Sequence, residues 1–64
     1  MTQKELLYVE DAIGHEKNII SICENMIEEM EEEELVDFLN SELEIHRKTE
    51  KNLLDMLEVK VNEW

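Results

Sequence analysis

Apolar side chains recur every three to four residues along the first half of the chain, which is the spacing of an amphipathic helix. In a heptad with positions a to g, they fill every a position, most d positions and several g positions. A stripe of this width is typical of a helix in a bundle and is wider than the seam of a two-stranded coiled coil. The stripe comprises Leu6, Ile13, Ile20 and Ile27 at a, Val9, Cys23 and Met30 at d, and Ala12, Ile19 and Met26 at g.

The ends of this first helix are marked in the sequence. Thr2 and Glu5 form the pattern of a capping box directly before the first apolar run, so the helix is expected to begin near residue 3. The stripe stops at the segment MEEEEL, residues 30–35, where four consecutive glutamates point in every direction of a helical turn. We therefore expect a helix over about residues 3–30 and a turn over about residues 31–34.

A second apolar stripe predicts another helix, over about residues 35–60. The step from Ile27 to Val36, the adjoining a positions of the two stripes, is nine residues. This step fits neither a heptad nor the usual three-residue or four-residue interruption, so it favours a reversal into an antiparallel hairpin. Because the turn contains no Gly or Pro, one continuous helix is the alternative. The second stripe comprises Leu35, Val36, Leu39, Leu43, Leu53, Met56 and Leu57, with Phe38, Ile45 and Val59 broadening it.

The size of the chain points to self-association. A single domain of 64 residues buries too little apolar surface to be comfortably stable alone. The two predicted helices also leave apolar surface uncovered, because their stripes are too wide to cover one another. We therefore expect an all-α protein, an antiparallel two-helix hairpin that forms a homodimer as a four-helix bundle and has no stable monomer.

The composition narrows the classes of partner. A net charge of −12 argues against nucleic acid or an anionic membrane surface, because both require a cationic protein surface. No apolar run approaches the length of a membrane span. The single cysteine excludes an internal disulfide and fits a reducing compartment such as the cytoplasm. Cations, basic proteins or a second copy of the chain remain as partners.

A polar band interrupts both stripes. Glu16 occupies a d position of the first helix, and a reversal centred between residues 32 and 33 places it level with Thr49, beside His46 and Glu50. A two-fold dimer would then bring four carboxylates and two imidazoles together inside the bundle. Buried carboxylates need positive charge nearby. Oxygen and imidazole ligands suit iron, with manganese as the second choice, and the set resembles that of di-iron carboxylate bundles.

The predicted metal ligands are therefore Glu16, His46 and Glu50, with Glu42 as a further candidate on the second helix. The alternative needs no metal. Glu16 and His46 could form a hydrogen-bonded ion pair that fixes the register of the bundle, with Glu50 turned toward solvent. Nothing in the chain is typical of a phosphate-binding loop, a nucleophilic triad or a zinc finger.

The phrase TQKELLYVEDAIGHE, followed some thirty residues later by a helix with a central histidine, resembles the short, coat F-like spore coat proteins of the ferritin-like superfamily. The resemblance implies a ferritin-like bundle with a role in coat assembly or in iron chemistry. Two positions differ from the family pattern: Glu33 replaces the turn proline, and Leu43 replaces the glutamate three residues before the histidine. The matching positions are Thr2, Lys4, Glu5, Leu6, Glu10, Asp11, Glu16, Glu34, Leu35 and His46.

Three functions follow as hypotheses. The first is a ferritin-like bundle that binds iron at a carboxylate and histidine site in the dimer core, for iron oxidation or storage, with ferroxidase-like activity if the site is redox-active. The second is a structural protein of a spore coat or similar assembly, without metal chemistry. The third is an acidic adaptor for a basic partner. The corresponding locations are the cytoplasm or, on the resemblance, the spore coat.

Overall fold

A computed structural model describes residues 1–62, with the side chains of residues 1–60. The chain forms two helices, α1 over Gln3–Glu29 and α2 over Glu33–Asn62, and residues 1–62 contain no strand. The helices pack against each other along a hairpin about 48 Å long. The predicted all-α hairpin is confirmed, and the alternative of one continuous helix is wrong.

The start of α1 is fixed by the predicted capping box. Thr2 Oγ1 accepts a hydrogen bond from Glu5 N (3.1 Å), and Glu5 Oε1 accepts one from Thr2 N (2.7 Å). The backbone N–H of Thr2, followed by its hydroxyl, lowers the pKa of Glu5 below its ordinary value of 4.5. This contribution to stability is present above that ordinary pKa, and it is lost as the pH falls through the lowered one.

The connection between the helices is shorter than the sequence predicts. Helix α1 ends one residue earlier than expected and α2 begins two residues earlier, so Met30, Glu31 and Glu32 alone join them. Met30 is extended (φ −86°, ψ 137°) and half-buried, and the last turn of α1 carries no basic residue. Glu33 and Glu34 lie in the first turn of α2, where the helix dipole favours acidic side chains. The glutamate run therefore starts a helix as well as forming the turn.

This early reversal changes the register of the two helices. Because the connection is centred near Glu31, Glu16 lies level with His46, about one helical turn from the predicted height at Thr49. Glu16 therefore contacts His46, which of its three predicted neighbours lies nearest the turn.

The core of the hairpin is narrow. Ile13, Cys23, Leu39 and Leu43 are its buried side chains within the described residues, and each occupies an a or d position. The other a and d side chains of the two stripes are half-buried, except for Lys60, which is exposed. Most of the apolar surface of the hairpin is thus only partly covered by the hairpin itself.

Candidate functional site

A polar layer interrupts the core midway along the hairpin. It consists of Glu16 on α1 with His46 and Glu42 on α2. His46 Nδ1 donates a hydrogen bond to Glu16 Oε2 at 2.6 Å, between helices. The side chains of His46 and Glu16 are 24% and 17% exposed, so this charge-assisted contact is partly shielded from water. Because a carboxylate only accepts, Nδ1 carries the proton in this contact.

The second ring nitrogen of His46 faces a different carboxylate. Its Nε2 lies 3.6 Å from Glu42 Oε2, one helical turn earlier on α2. This separation exceeds the usual length of an N–H···O hydrogen bond. The imidazole therefore has a short contact on one side and a looser electrostatic contact on the other.

Of the four predicted metal ligands, the structure brings Glu16, His46 and Glu42 together. Glu50 is half-buried on α2 and forms no hydrogen bond or ion pair among the described residues. Leu43, where the family pattern has a glutamate, is 7% exposed and belongs to the core. Within residues 1–62, no group of three or more His, Cys, Asp or Glu side chains is arranged to hold a metal ion.

One side of the hairpin carries most of its exposed large apolar side chains. We define the open face as the surface formed by the c and g positions of both helices. It carries eight of the ten large apolar side chains that are exposed among the described residues. They are Tyr8, Ile22 and Met26 on α1, and Leu35, Phe38, Ile45, Met56 and Val59 on α2.

The middle of the open face is mixed, at the height of the polar layer. Its c and g positions there include the polar residues His15, Glu42, Thr49 and Asn52 and the exposed apolar residue Ile45. The other exposed large apolar side chains lie on both sides of this central band, toward the turn and toward the open end of the hairpin. The polar c and g side chains are thus concentrated near the middle of the open face.

The opposite surface, which we call the ion-pair face, is formed by the b and e positions of both helices. Arg47 Nη2 donates to Glu24 Oε2 at 3.0 Å across the hairpin, which joins two e positions. Leu7 and Leu54 are the exposed large apolar side chains of this face within the described residues. Gly14 also lies here, with nothing within 4 Å of the place where a Cβ would stand.

A groove of about 460 Å³ lies near the open end of the hairpin. Its walls include Glu5, Tyr8 and Met56, which are c and g residues of the two helices. The groove therefore shows that the c and g positions of α1 and α2 share one side. Lys4 Nζ lies 5.9 Å from the centre of the Tyr8 ring beside it, within cation–π range.

The open face as a continuous surface was not predicted from the sequence. The pattern identifies Phe38, Ile45 and Val59 as additions to the stripe of α2, but it does not place them beside Tyr8 and Ile22. A second heptad repeat, at c and g in both helices, is the signal that could have identified it. Antiparallel packing then brings the g positions of the two helices to the same side.

Comparison with known proteins identifies no relative: no family model, no curated protein and no solved structure matches this chain. A search of the described residues also finds no helix with the length and apolar character needed to span a bilayer.

Proposed function

We propose that the chain is a structural assembly module, whose hairpin pairs with a second copy of itself through the open face to form a four-helix bundle. One observation carries the proposal: eight of ten exposed large apolar side chains lie on that single face. A concentration of exposed large apolar side chains on one face of a small chain marks an interaction site. The narrow core supports the same conclusion, because pairing would cover the half-buried stripes.

A second copy suits this face better than an unrelated partner does. A two-fold axis across the polar layer would place the central polar band of one copy against that of the other. It would also place the apolar parts against apolar parts, so the face is complementary to itself. The ion-pair face and the glutamate run would remain in water. The resemblance to spore coat proteins favours an ordered protein layer as the setting of such a module.

The test is the mass of the protein in solution, measured by size-exclusion chromatography with light scattering. We expect the wild type at twice the mass of the chain. Ile45→Glu places a carboxylate at an exposed apolar position of the open face, and we expect it to weaken self-association by about 100-fold or more. Leu54→Glu is the matched control, since it makes the same change to an exposed side chain of the ion-pair face. A monomeric wild type, or equal dissociation by both variants, would contradict the proposal.

A second function, cation binding within the paired bundle, is supported by the geometry around His46. Glu42 Oε2 and His46 Nε2 are 3.6 Å apart, which leaves room for a divalent ion at roughly 2.1 Å from each. Glu16, which accepts from Nδ1, would orient the imidazole as carboxylates commonly do for histidines that bind metals. One chain offers two metal ligands, Glu42 and His46, so a second copy would have to supply the remaining ligands. Iron is the first candidate and manganese the second.

Anaerobic titration with ferrous iron, followed by exposure to air and absorbance near 350 nm, tests this second function. We expect Glu42→Gln to abolish binding and Glu16→Gln to weaken it by about 10- to 100-fold. Glu50→Gln is the matched control, because it makes the same change four residues beyond His46 on the same helix. Absence of iron binding by the wild type, or equal loss in Glu50→Gln, would remove the metal function and leave the assembly proposal intact.

A further inference from the structure

The charge of the chain is distributed unevenly along the hairpin. Residues 22–44, which surround the turn, contain ten of the eighteen acidic residues and none of the six basic ones. Lys17 lies next to Glu16 of the polar layer, and the other five Lys and Arg residues lie toward the open end. The turn half is strongly anionic, whereas the open half is close to neutral.

Two arrangements would bring two open faces together with two-fold symmetry. In one, both turns lie at the same end of the bundle, and the two anionic halves lie side by side. In the other, the turns lie at opposite ends, and each anionic half lies against an open half that contains lysines. Charges closer than a Debye length of about 8 Å interact appreciably at physiological salt, so repulsion penalises the first arrangement more than the second.

The positions of the apolar side chains favour the same arrangement. Phe38, which is 59% exposed, lies about 12 Å from His46 toward the turn, at 1.5 Å per residue. Tyr8 and Met56, in the walls of the groove, lie about 12 and 15 Å from the polar layer toward the open end. A two-fold axis at the height of Glu16 and His46, across the hairpin, therefore brings Phe38 of one copy to the groove of the other.

From these observations we infer that two copies pair with their turns at opposite ends of the bundle, with Phe38 of each copy packed against Met56 of the other at the groove. The inference rests on the proposed assembly function and specifies its geometry. Each copy would contribute its Phe38 side chain to the other copy's groove, at two equivalent places. The polar layers would meet at the centre.

The distance between the two turns tests this geometry directly. Spin labels are attached at Glu31→Cys in a Cys23→Ala background, and their separation is measured by pulsed electron paramagnetic resonance. If the turns lie at opposite ends of the bundle, the labels are about 45 Å apart. The reason is that 15 residues separate the connection from the polar layer in each copy, at 1.5 Å per residue. Turns at the same end place them within about 25 Å, because packed helices are 8–10 Å apart.

The outcomes distinguish the two proposals. A dimer by light scattering with the long distance supports both, and a dimer with the short distance overturns the inference while the assembly function stands. A monomer by light scattering contradicts the assembly function itself. The Cys23→Ala background without a label site is checked for wild-type mass first, because Cys23 is a buried core side chain.

A double-mutant cycle tests the contact between Phe38 and Met56. We expect Phe38→Ala and Met56→Ala each to weaken the dimer by about tenfold, and the double variant to weaken it by clearly less than the product. The two residues are eighteen positions apart on one helix, about 27 Å, so coupling within one chain is excluded by distance. Fully independent effects would contradict the contact. Leu7→Ala, on the ion-pair face, serves as the control and should leave the dimer unchanged.

Discussion

The two faces of the hairpin flank the same core but differ in what they present to the surroundings. The open face exposes most of the large apolar side chains, with polar residues concentrated near its middle, whereas the ion-pair face exposes charged side chains, among them the Arg47–Glu24 pair. Both faces are built from helices with the same heptad periodicity. The difference separates the a and d positions, which form the hairpin, from the c and g positions, which we propose meet a second copy.

The largest effect on the free energy of unfolding is expected for a substitution in the core, compared with one on the open face. Leu43 is 7% exposed and Ile45, two residues later on α2, is 56% exposed. Leu43→Ala should lower the free energy of unfolding by about 2–5 kcal/mol, because it removes buried methyl groups and leaves a cavity. Ile45→Ala should change the stability of an isolated hairpin by much less and should act mainly on self-association.

Urea unfolding at several protein concentrations measures this difference. The midpoint of Ile45→Ala should approach that of the wild type as the protein is diluted, whereas the loss in Leu43→Ala should persist at every concentration. If Ile45→Ala were as destabilising as Leu43→Ala in dilute solution, the distinction between the core and the open face would fail.

An intermediate effect is expected in the polar layer. Glu16→Leu leaves His46 without its 2.6 Å partner and should lower the free energy of unfolding by about 1–3 kcal/mol. Replacing both residues by leucine should recover most of this loss, since an apolar pair of similar volume is often as stable as a partly buried ion pair. Thermal unfolding of the wild type, the two single variants and the double variant measures the coupling. A double variant less stable than either single variant would contradict this account.

The smallest effect belongs to the ion-pair face. Arg47 and Glu24 are 56% and 50% exposed, so water and salt screen their attraction. Arg47→Ala should change the free energy of unfolding by about 0.5 kcal/mol or less and should leave the dimer mass unchanged. Chemical unfolding and light scattering on the same samples check both statements. Dissociation of the dimer by Arg47→Ala would mean that the ion-pair face, and not the open face, mediates pairing.

The sequence was sufficient for the helices and for the side of each helix that faces inward. The capping box at Thr2 places the start of α1, and the apolar side chains predicted at a and d are buried or half-buried. These features depend on contacts within a few residues along one helix, so periodicity reports them directly.

The height of one helix against the other could not be read in the same way. The connection contains no Gly or Pro, so the pattern does not determine where within the glutamate run the chain reverses. The helix dipole favours Glu33 and Glu34 as the first turn of α2, and the reversal therefore comes early. This shift places Glu16 level with His46. The approach of His46 Nε2 to Glu42 is a contact within α2, one helical turn apart, and is independent of the register. The open face depends similarly on how both helices are rotated about their own axes. The apolar stripe of one helix does not define that rotation.

The single connection at Met30–Glu32 also determines the order in which the hairpin comes apart. Contacts beside it, such as those around Cys23 and Leu39, close short loops, whereas contacts beside Tyr8 and Met56 close loops of nearly the whole chain and cost more entropy. Fraying therefore starts at the free ends of the helices, and hydrogen exchange should be fastest there and slowest in the core beside the connection, around Cys23 and Leu39.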